Sequence, residues 1–214
     1  MTSTVATAST NFFLAAAENR CSCYTLTNSS PISDTRIRDI VASAVKHSPS
    51  AFNIQSTRAV VLVKQDHETL WDFGDAALKN AMPEQAYAGL ASKVQGFRAA
   101  YGTVLWFEDQ SALDALKQKN PVLQHVIPQW SSHSSGMAQL IVWAALELEG
   151  LGCNLQHYNF MSEFREKVRN EWNIPETWAL HSQLVFGAPL DGLKRSRERT
   201  YLPLEDRVKM YGGD

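Results

Sequence analysis

The chain has 214 residues, of which 44% are hydrophobic and 20% are charged. These fractions are typical of a folded domain and exclude a disordered chain. The formal net charge of −2 gives no general attraction to nucleic acids or anionic membranes, so neither is expected as a partner.

Several further features exclude other classes of protein. No apolar run approaches the ~20 residues that a membrane-spanning helix needs. The first residues, MTSTVATAST, carry no Lys or Arg and therefore resemble neither a secretory nor a mitochondrial signal. The cysteines include no CxxC pair and the histidines have no metal-ligand spacing, so we expect no disulfide framework and no metal site. Together these features favour a cytoplasmic protein.

The N-terminal part of the chain predicts a tail followed by two helices. Residues 1–9 are rich in Ser and Thr, and we expect a disordered tail there before a single domain over residues 10–214. Asn11 is a suitable N-cap for a short helix, FFLAAAEN. Ser33 is a second cap, and the helix after it must end near His47 because a proline follows two residues later.

The rest of the chain predicts a small sheet surrounded by helices. Apolar runs or alternating apolar residues predict strands over 59–63, 103–107 and 178–187. Glu108 and Asp109 are expected to end the second strand. Helical spacing and helix breakers predict helices over 67–81, 85–100, 111–119, 136–150 and 162–172. Because runs of helices separate the strands, this order favours an α+β fold over a doubly wound α/β fold.

The predicted helix over 136–150 is apolar on almost all sides. Leu140 and Leu148 lie on one side of it, whereas Val142 and Leu146 lie on the other. Such a helix either forms the centre of a core or lies at a subunit interface. The pattern alone leaves both possibilities open.

One polar cluster lies in SPSAFNIQSTR, residues 48–58, between a helix and the first strand. Ser50, Asn53 and Gln55 place hydroxyl and amide groups close together on a loop that Pro49 restrains. Amide side chains both donate and accept hydrogen bonds, which suits a ring edge with alternating C=O and N–H groups, such as that of a flavin. The alternative is a capped turn whose polar groups satisfy its own backbone.

A second cluster suits a phosphate group. Arg20 and Ser22 follow the first helix, and the basic run KRSRER occupies residues 194–199. A guanidinium matches the geometry of phosphate oxygens, and a hydroxyl adds a further donor. The alternatives are a surface ion pair for Arg20, and a solvated surface or a nuclear localisation signal for the basic run.

The third candidate is GLGCNLQHYN, residues 150–159. Its glycines end a helix and lack the third glycine of a dinucleotide-binding fingerprint, so we interpret them as a C-cap. Asn154, Gln156 and His157 are expected to be exposed in the loop that follows. His157 suits a ligand or an acid–base role, and the alternative is a structural histidine. The absence of GxSxG and GxxxxGK[ST] motifs excludes the usual hydrolase elbow and phosphate loop.

Taken in order, these segments resemble the nitroreductase superfamily, and most closely its fungal branch linked to fatty-acid response and stress. The resemblance extends from about Asn11 to Tyr211. Its most specific parts are SPSAFNIQSTR, then QWSSHSSGMAQ with LELEGLGCNLQHYN, and then LVFGAPL followed by YLPLEDRVKMYG. Several ordered matches at the right spacing are more specific than any one of them.

The resemblance implies a three-layer α+β sandwich, with helices around a small, mostly antiparallel sheet, and an intertwined homodimer. Two FMN molecules would bind at the subunit interface, to which the helix over 136–150 would belong. NADH or NADPH would donate electrons, and a nitroaromatic, a quinone or a similar electron-poor molecule would accept them by a ping-pong mechanism. The alternatives are a flavin-binding regulator in lipid or stress signalling, present also in the nucleus, and a biosynthetic oxidoreductase with one dedicated substrate.

The resemblance also assigns residues to the FMN site. They come from four segments: Arg20, Cys21, Ser22 and Tyr24; Pro49, Ser50, Ala51, Asn53 and Gln55; Gln156 and His157; and Arg197 and Arg199. The first and last segments would meet the phosphate and ribityl chain, with Cys21 acting through its backbone. The second would hold the flavin, its Ser50–Asn53 part reaching across to the other subunit's flavin, and the third would lie beside the isoalloxazine. Tyr24 stands where many relatives have a second basic residue, and no side chain is assigned as catalytic.

Overall fold

The computed structural model describes residues 3–193 and 198–213, with side chains from residue 9 onward. The helices in this part are α1 (Ser3–Asn19), α2 (Asp34–His47), α3 (Lys64–Ala81), α4 (Glu84–Arg98), α5 (Gln110–Lys119), α6 (Ile127–Leu148) and α7 (Ser162–Glu171). The strands are β1 (Thr57–Val63), β2 (Gly102–Asp109), β3 (Gly152–Gln156) and β4 (Trp178–Gly187). Short 3₁₀ turns occupy Ala51–Asn53, Pro121–Leu123 and Tyr158–Phe160.

The four strands form one sheet in the order β1–β2–β4–β3, and every neighbouring pair is antiparallel. β2 is buried along its whole length. β1 lies at one edge and is mostly half-buried, although its apolar sequence predicted a buried strand. At the other edge, a bridge between Ser22 and Cys153 adds the chain after α1 parallel to β3. The prediction of a small, mostly antiparallel sheet is confirmed.

Helices cover both faces of the sheet, which gives the predicted three-layer α+β sandwich. The layer of α3, α4 and α7 packs on sheet residues that include Leu105 and Val185. The layer of α2 and α6 packs on the opposite face, on residues that include Val104 and Leu184. Val104 and Leu105 pack against different helical layers because successive side chains of a strand point to opposite faces of the sheet.

The predicted cap of α2 is confirmed. The Ser33 hydroxyl accepts a hydrogen bond from the Arg36 N–H, 3.1 Å away, at the first turn of the helix. The helix ends at His47, and Ser48 before the proline adopts an extended conformation. These features fix the position at which α2 ends and the polar loop begins.

The start of α1 differs from the prediction. The helix begins at Ser3, so Asn11 is an interior residue and the cap predicted there is wrong. Residues 3–9 form helix where a tail was expected. The segment contains neither Gly nor Pro, and once the alanines at 15–17 have nucleated a helix, each further residue extends it at little cost.

Three further boundaries differ from the sequence predictions. α6 begins at Ile127, with a proline in its first turn, where the missing N–H is not needed. Glu108 and Asp109 continue β2 instead of ending it, because their carboxylates find hydrogen-bond partners inside the protein. Residues 152–156, expected in a loop, form β3, whose mixed polar and apolar sequence shows no clear alternation.

Candidate functional site

The segment Arg20–Ser22 connects the end of α1 to the sheet and to α6. The Cys21 N–H donates to the Glu147 carboxylate on α6, 3.1 Å from either oxygen. The Arg20 guanidinium lies over the Trp143 ring, 4.4 Å from its centroid. The Trp143 indole N–H donates to the same carboxylate at 2.9 Å, so Glu147 holds both the segment and the ring that Arg20 covers.

Arg199 is the C-terminal residue that the structure brings to this segment. Its guanidinium donates to the backbone oxygen of Arg20 at 2.5 Å and to that of Glu18 at 3.2 Å. Two predicted phosphate ligands, far apart in the sequence, therefore lie side by side. Arg197 lies outside the described residues, and its role stays a prediction.

A cavity of about 710 Å³ opens against Ser22. Its lining comes from the chain after α1, from α4 and from the end of β3: Ser22, Tyr24, Ser92, Lys93, Gly96, Phe97 and Gln156. Three of the predicted FMN ligands, Ser22, Tyr24 and Gln156, thus meet in one cavity. Its volume falls within the range of roughly 300–1,000 Å³ that small-molecule sites usually have.

The contribution of α4 to this cavity was not predicted. Lys93 and Ser92 add a cation and a hydroxyl to the cavity that Tyr24 lines. A Cβ built on Gly96 meets no atom within 4 Å, so the space beside this residue is open. Packing within the chain therefore does not require a glycine at this position. Nothing in the sequence distinguishes these residues, because polar side chains on a helix usually face solvent.

The end of β3 holds Gln156 through a chain of amide hydrogen bonds. The Gln156 Nε2 donates to Asn154 Oδ1 at 2.8 Å, and Asn154 Nδ2 donates to the Cys23 backbone oxygen at 2.9 Å. Asn154 is fully buried, so the prediction that it would be exposed in a loop is wrong; pairing of β3 with β4 places it inside. Gln156 is half-buried and His157 is exposed.

The loop after α2 contains unusual backbone geometry. Of the five non-glycine residues with positive φ in the described part of the chain, three lie in this loop: Phe52 (55°), Asn53 (53°) and Gln55 (52°). L-residues other than Asn and Asp adopt this left-handed region only at a cost of about 1–3 kcal/mol. Such strain persists where surrounding contacts enforce it, and it concentrates at functional sites.

Contacts on both sides enforce this conformation. The Ser50 hydroxyl accepts from the Gln55 N–H at 3.0 Å, which closes the loop on itself. Directly after the loop, Ser56 and Thr57 donate to the buried Glu108 carboxylate at 2.6 and 2.7 Å. The loop is therefore closed internally and anchored to β2.

A second cavity, of about 450 Å³, lies between this loop and α6. Its lining is mostly apolar and aromatic, with three polar side chains from Ser50, His133 and Ser134: Pro49, Ser50, Ala51, Phe52, Trp130, His133, Ser134 and Met137. Three predicted FMN ligands, Pro49, Ser50 and Ala51, share this cavity. Asn53 and Gln55 are exposed on the same loop.

The loop cavity and the Arg20–Ser22 segment contact α6 at well-separated positions. Ser134 lines the cavity at the loop, whereas Glu147 holds the Arg20–Ser22 segment. At a rise of about 1.5 Å per residue, these two helix positions are about 20 Å apart along the axis. Within one chain, the described ligands of the loop and those of the phosphate segment therefore line separate cavities.

The sequence profile of the nitroreductase family matches residues 17–188. The chain belongs to the nitroreductase family. Two relatives come from Saccharomyces cerevisiae and support the predicted fungal branch. The nitroreductase FRM2 is 35% identical over 183 residues, which cover 84% of this chain and 89% of the relative. The putative nitroreductase HBN1 is 35% identical over 153 residues, covering 72% and 74%.

Solved structures confirm the nitroreductase-type fold. The nitroreductase CinD from Lactococcus lactis, in complex with chloramphenicol, has a TM-score of 0.82 and 36% identity, covering 93% of this chain and 99% of that one. Further CinD structures contain nicotinic acid or 4-nitrophenol. A nitroreductase from S. cerevisiae has a TM-score of 0.74 and 34% identity, covering 83% and 96%.

In this nitroreductase, α6 is covered on one side only. Val142 and Leu146 are fully buried against the sheet. Met137, Leu140 and Leu148 on the other side are 39%, 44% and 58% exposed. The helix is thus part of the core and also presents an uncovered apolar surface, which explains why its sequence fitted both predictions.

The C-terminal residues carry further exposed apolar side chains. Residues 198–213 contain no helix or strand. Their large apolar side chains all lie on the outside of the chain: Tyr201, Leu202, Leu204, Val208, Met210 and Tyr211. Large exposed apolar patches mark interaction sites, so this segment is a candidate contact surface.

The buried titratable groups of the nitroreductase fit structural roles. Burial raises the pKa of the Cys23 and Cys153 thiols, which makes them poor nucleophiles. Burial also lowers the pKa of His67 to about 4, and its ring nitrogens contact Thr103 Oγ1 and the Phe97 carbonyl oxygen. Among the described residues, no group of three His, Cys, Asp or Glu side chains could hold a metal ion.

Over the described residues, none of the helices combines the length and the apolar character that crossing a bilayer requires.

Proposed function

We propose that this nitroreductase is an FMN-dependent oxidoreductase that takes electrons from NADH or NADPH and passes them to nitroaromatics, quinones or similar acceptors. The observation that carries the proposal is the cavity that Ser22, Lys93 and Gln156 line together. Arg20 lies two residues before Ser22 in the chain, and Arg199 donates to the Arg20 backbone oxygen, so both would add positive charge to the site. These residues offer cationic, hydroxyl and amide groups, which are the groups that a flavin phosphate and a flavin ring edge need. We expect the protein to act in the cytoplasm, where both nicotinamides are available.

Two observations support the fit of FMN to this cavity. Gly96 leaves open space where any other residue would place a side chain. Gln183, paired with Gln156 across β3 and β4, is fully buried, and its Nε2 has no partner among the described residues. A buried amide donor without an acceptor is costly, which favours a polar ligand in its neighbourhood.

Each residue has a distinct role in the proposal. Arg20 and Ser22 would bind the phosphate, and Arg199 would hold the Arg20 backbone in place while adding positive charge. Lys93 would supply the cation that Tyr24 does not. The Cys21 N–H is engaged by Glu147, so we assign Cys21 a positioning role through its backbone.

We further propose that the active unit is a homodimer. The phosphate segment and the 48–55 loop lie about 20 Å apart along α6, so one flavin can contact both only if two chains contribute. The uncovered side of α6 and the exposed apolar C-terminal residues would supply the interface. Pro49, Ser50, Ala51 and Asn53 would then complete the site of the other subunit.

When bound, FMN supplies the redox chemistry: it accepts a hydride from the nicotinamide and passes electrons to the acceptor. The protein would bind the two substrates in turn in one place, which gives ping-pong kinetics. CinD binds chloramphenicol and 4-nitrophenol, both nitroaromatics, and also nicotinic acid, whose ring resembles that of nicotinamide. This likeness supports the proposed donor and acceptor classes. His157, exposed at the end of β3, is available to supply protons.

The test is an anaerobic titration of the purified protein. After saturation with FMN and gel filtration, we expect a yellow dimer whose flavin absorbance is bleached by NADH or NADPH and restored by nitrobenzene. Protein that emerges without flavin would contradict the proposal. Bound flavin that neither nicotinamide reduces would support the regulator instead, and reduction without any turnover of nitrobenzene or quinones would support one dedicated substrate.

A further inference from the structure

Phe52 combines two unfavourable properties in the isolated chain. Its backbone is left-handed, with φ 55° and ψ 20°, a conformation that strains a bulky residue. Its side chain is 63% exposed, so it gains little from burial. A glycine or an asparagine would adopt the same backbone more cheaply. A strained residue whose side chain is largely exposed points to a role of that side chain in binding.

The Phe52 ring forms one surface with an aromatic residue of α6. Its centroid lies 6.2 Å from that of Trp130, with an angle of 39° between the ring planes. Both rings line the 450 Å³ cavity, together with Met137, whose thioether is partly exposed. We call Phe52 and Trp130 the aromatic wall. The cavity also contains polar groups, those of Ser50, His133 and Ser134.

This lining selects a class of ligand. The faces of phenyl and indole rings carry negative charge density, so they attract the faces of electron-poor rings in offset or tilted stacks. The His133 imidazole and the Ser50 hydroxyl can donate hydrogen bonds to a nitro or carbonyl oxygen on such a ring. The Ser134 hydroxyl, in contrast, donates to the Trp130 backbone oxygen. A ligand without a ring would use the polar groups only.

We propose that the aromatic wall binds the ring of the electron acceptor, and that Phe52 determines a preference for aromatic over non-aromatic acceptors. This inference rests on the proposed function, because it names the part of the site that holds the second substrate. Phe52 belongs to the same loop as Ser50 and Ala51, and Trp130 lies beside it on α6. In the proposed dimer, the wall would therefore lie next to the loop that reaches the other subunit's flavin. Phe52 is a binding residue and takes no part in electron transfer itself.

The test compares two acceptors in steady-state kinetics with NADH: nitrobenzene, and ferricyanide as an acceptor without a ring. In Phe52→Leu, which keeps an apolar side chain but removes the ring, we expect KM for nitrobenzene to rise about fivefold, equivalent to about 1 kcal/mol. For ferricyanide, kcat/KM should stay within about twofold. Phe52→Tyr keeps the ring and should restore the KM for nitrobenzene. Val122→Ala, at an exposed apolar residue outside the cavity, is the matched control.

The outcomes separate this inference from the proposed function. If the wild-type protein reduces neither acceptor, the proposed function fails. If it reduces both and Phe52→Leu leaves KM for nitrobenzene unchanged, only the aromatic wall is refuted. The same holds if Phe52→Leu weakens the dimer in gel filtration and lowers both activities equally, because Phe52 would then be an interface residue. Should Phe52→Leu fail to fold, the same comparison is made with Trp130→Leu and its ring-preserving counterpart Trp130→Phe.

Discussion

The Ser131 hydroxyl on α6 donates a hydrogen bond to the buried Glu108 carboxylate of β2 at 2.5 Å. Ser56 and Thr57, which follow the 48–55 loop, donate to the same carboxylate. One acidic side chain therefore joins the loop, the central strand and the helix that lines the loop cavity. Glu108 is fully buried, and the three hydroxyl donors satisfy the oxygens of its side chain.

Replacing Glu108 by Leu should lower the free energy of unfolding by about 3 kcal/mol, because three buried hydroxyls lose their acceptor. Glu108→Gln keeps one carbonyl oxygen and should lose less. Urea denaturation followed by circular dichroism measures both. Glu166→Leu, at an exposed position of α7, is the control and should change stability little. Equal stability of Glu108→Leu and wild type would show that the anchor is unimportant.

Arg20→Ala should weaken FMN binding far more than it weakens the fold. Loss of a charge-assisted contact to phosphate raises the Kd on the order of tenfold to a hundredfold. Its stacking on Trp143 contributes only about 0.5–1 kcal/mol to stability. Quenching of flavin fluorescence measures the Kd. Arg36→Ala removes an exposed arginine that pairs with Glu149, and it should leave the Kd unchanged. If both variants bind FMN like wild type, the phosphate assignment is wrong.

Leu140→Asp should separate the proposed dimer. The residue is 44% exposed on the uncovered side of α6, so an aspartate is harmless in a single chain but places a charge in an apolar interface. Light scattering after gel filtration should report a monomer that retains little FMN. Val122→Asp introduces the same charge at a residue that is 84% exposed, and it should remain dimeric. A Leu140→Asp protein that stays dimeric would place the interface elsewhere.

His67 predicts a pH dependence of stability. Burial lowers its pKa to about 4, whereas an unfolded histidine titrates near 6.5. The folded state favours the neutral ring, so the contribution is complete above about pH 6.5 and is lost as the pH falls towards about 4. Between pH 7 and pH 5 we expect a loss of about 2 kcal/mol.

Urea denaturation at both pH values checks this expectation against His67→Gln, which offers similar hydrogen bonds without a titrating ring. Burial also lowers the pKa of His181, but this histidine is present in both proteins, so their difference reports His67. The wild type should lose more stability than the variant. Parallel losses in the two proteins would mean that His67 is not the source.

Local sequence patterns predicted most of the helices and strands. The features that were missed depend on contacts between residues far apart in the sequence. Ser33 and its helix followed from capping and spacing alone. β3 was missed, because its pairing with β4 cannot be read from its own sequence. Lys93 was missed for the same reason: only the approach of α4 to Ser22 distinguishes it from other surface lysines.

The strained backbone of the 48–55 loop also could not be predicted from the sequence, although the polar residues of the loop identified it as a candidate site. In the sequence Phe52 is indistinguishable from other aromatic residues, and only its positive φ angle shows that its backbone is strained. Residue chemistry paired Arg20 with the C-terminal basic run, and the family resemblance singled out Arg197 and Arg199 within it. In the structure Arg199 donates to the Arg20 backbone oxygen, and the phosphate role of the pair stays a prediction.

Phe52→Asn should stabilise the protein while impairing its use of aromatic acceptors. Asparagine tolerates the left-handed region, so the free energy of unfolding of the flavin-free protein should rise by about 1 kcal/mol. Phe12→Asn makes the same exchange at an exposed residue in right-handed α1 and should be neutral or destabilising, because Asn is a poor helix former. Thermal unfolding measures both variants. A gain in stability together with a raised KM for nitrobenzene would mean that the loop sacrifices stability to display its ring. Loss of stability in both variants would instead mean that Phe52 is held by packing.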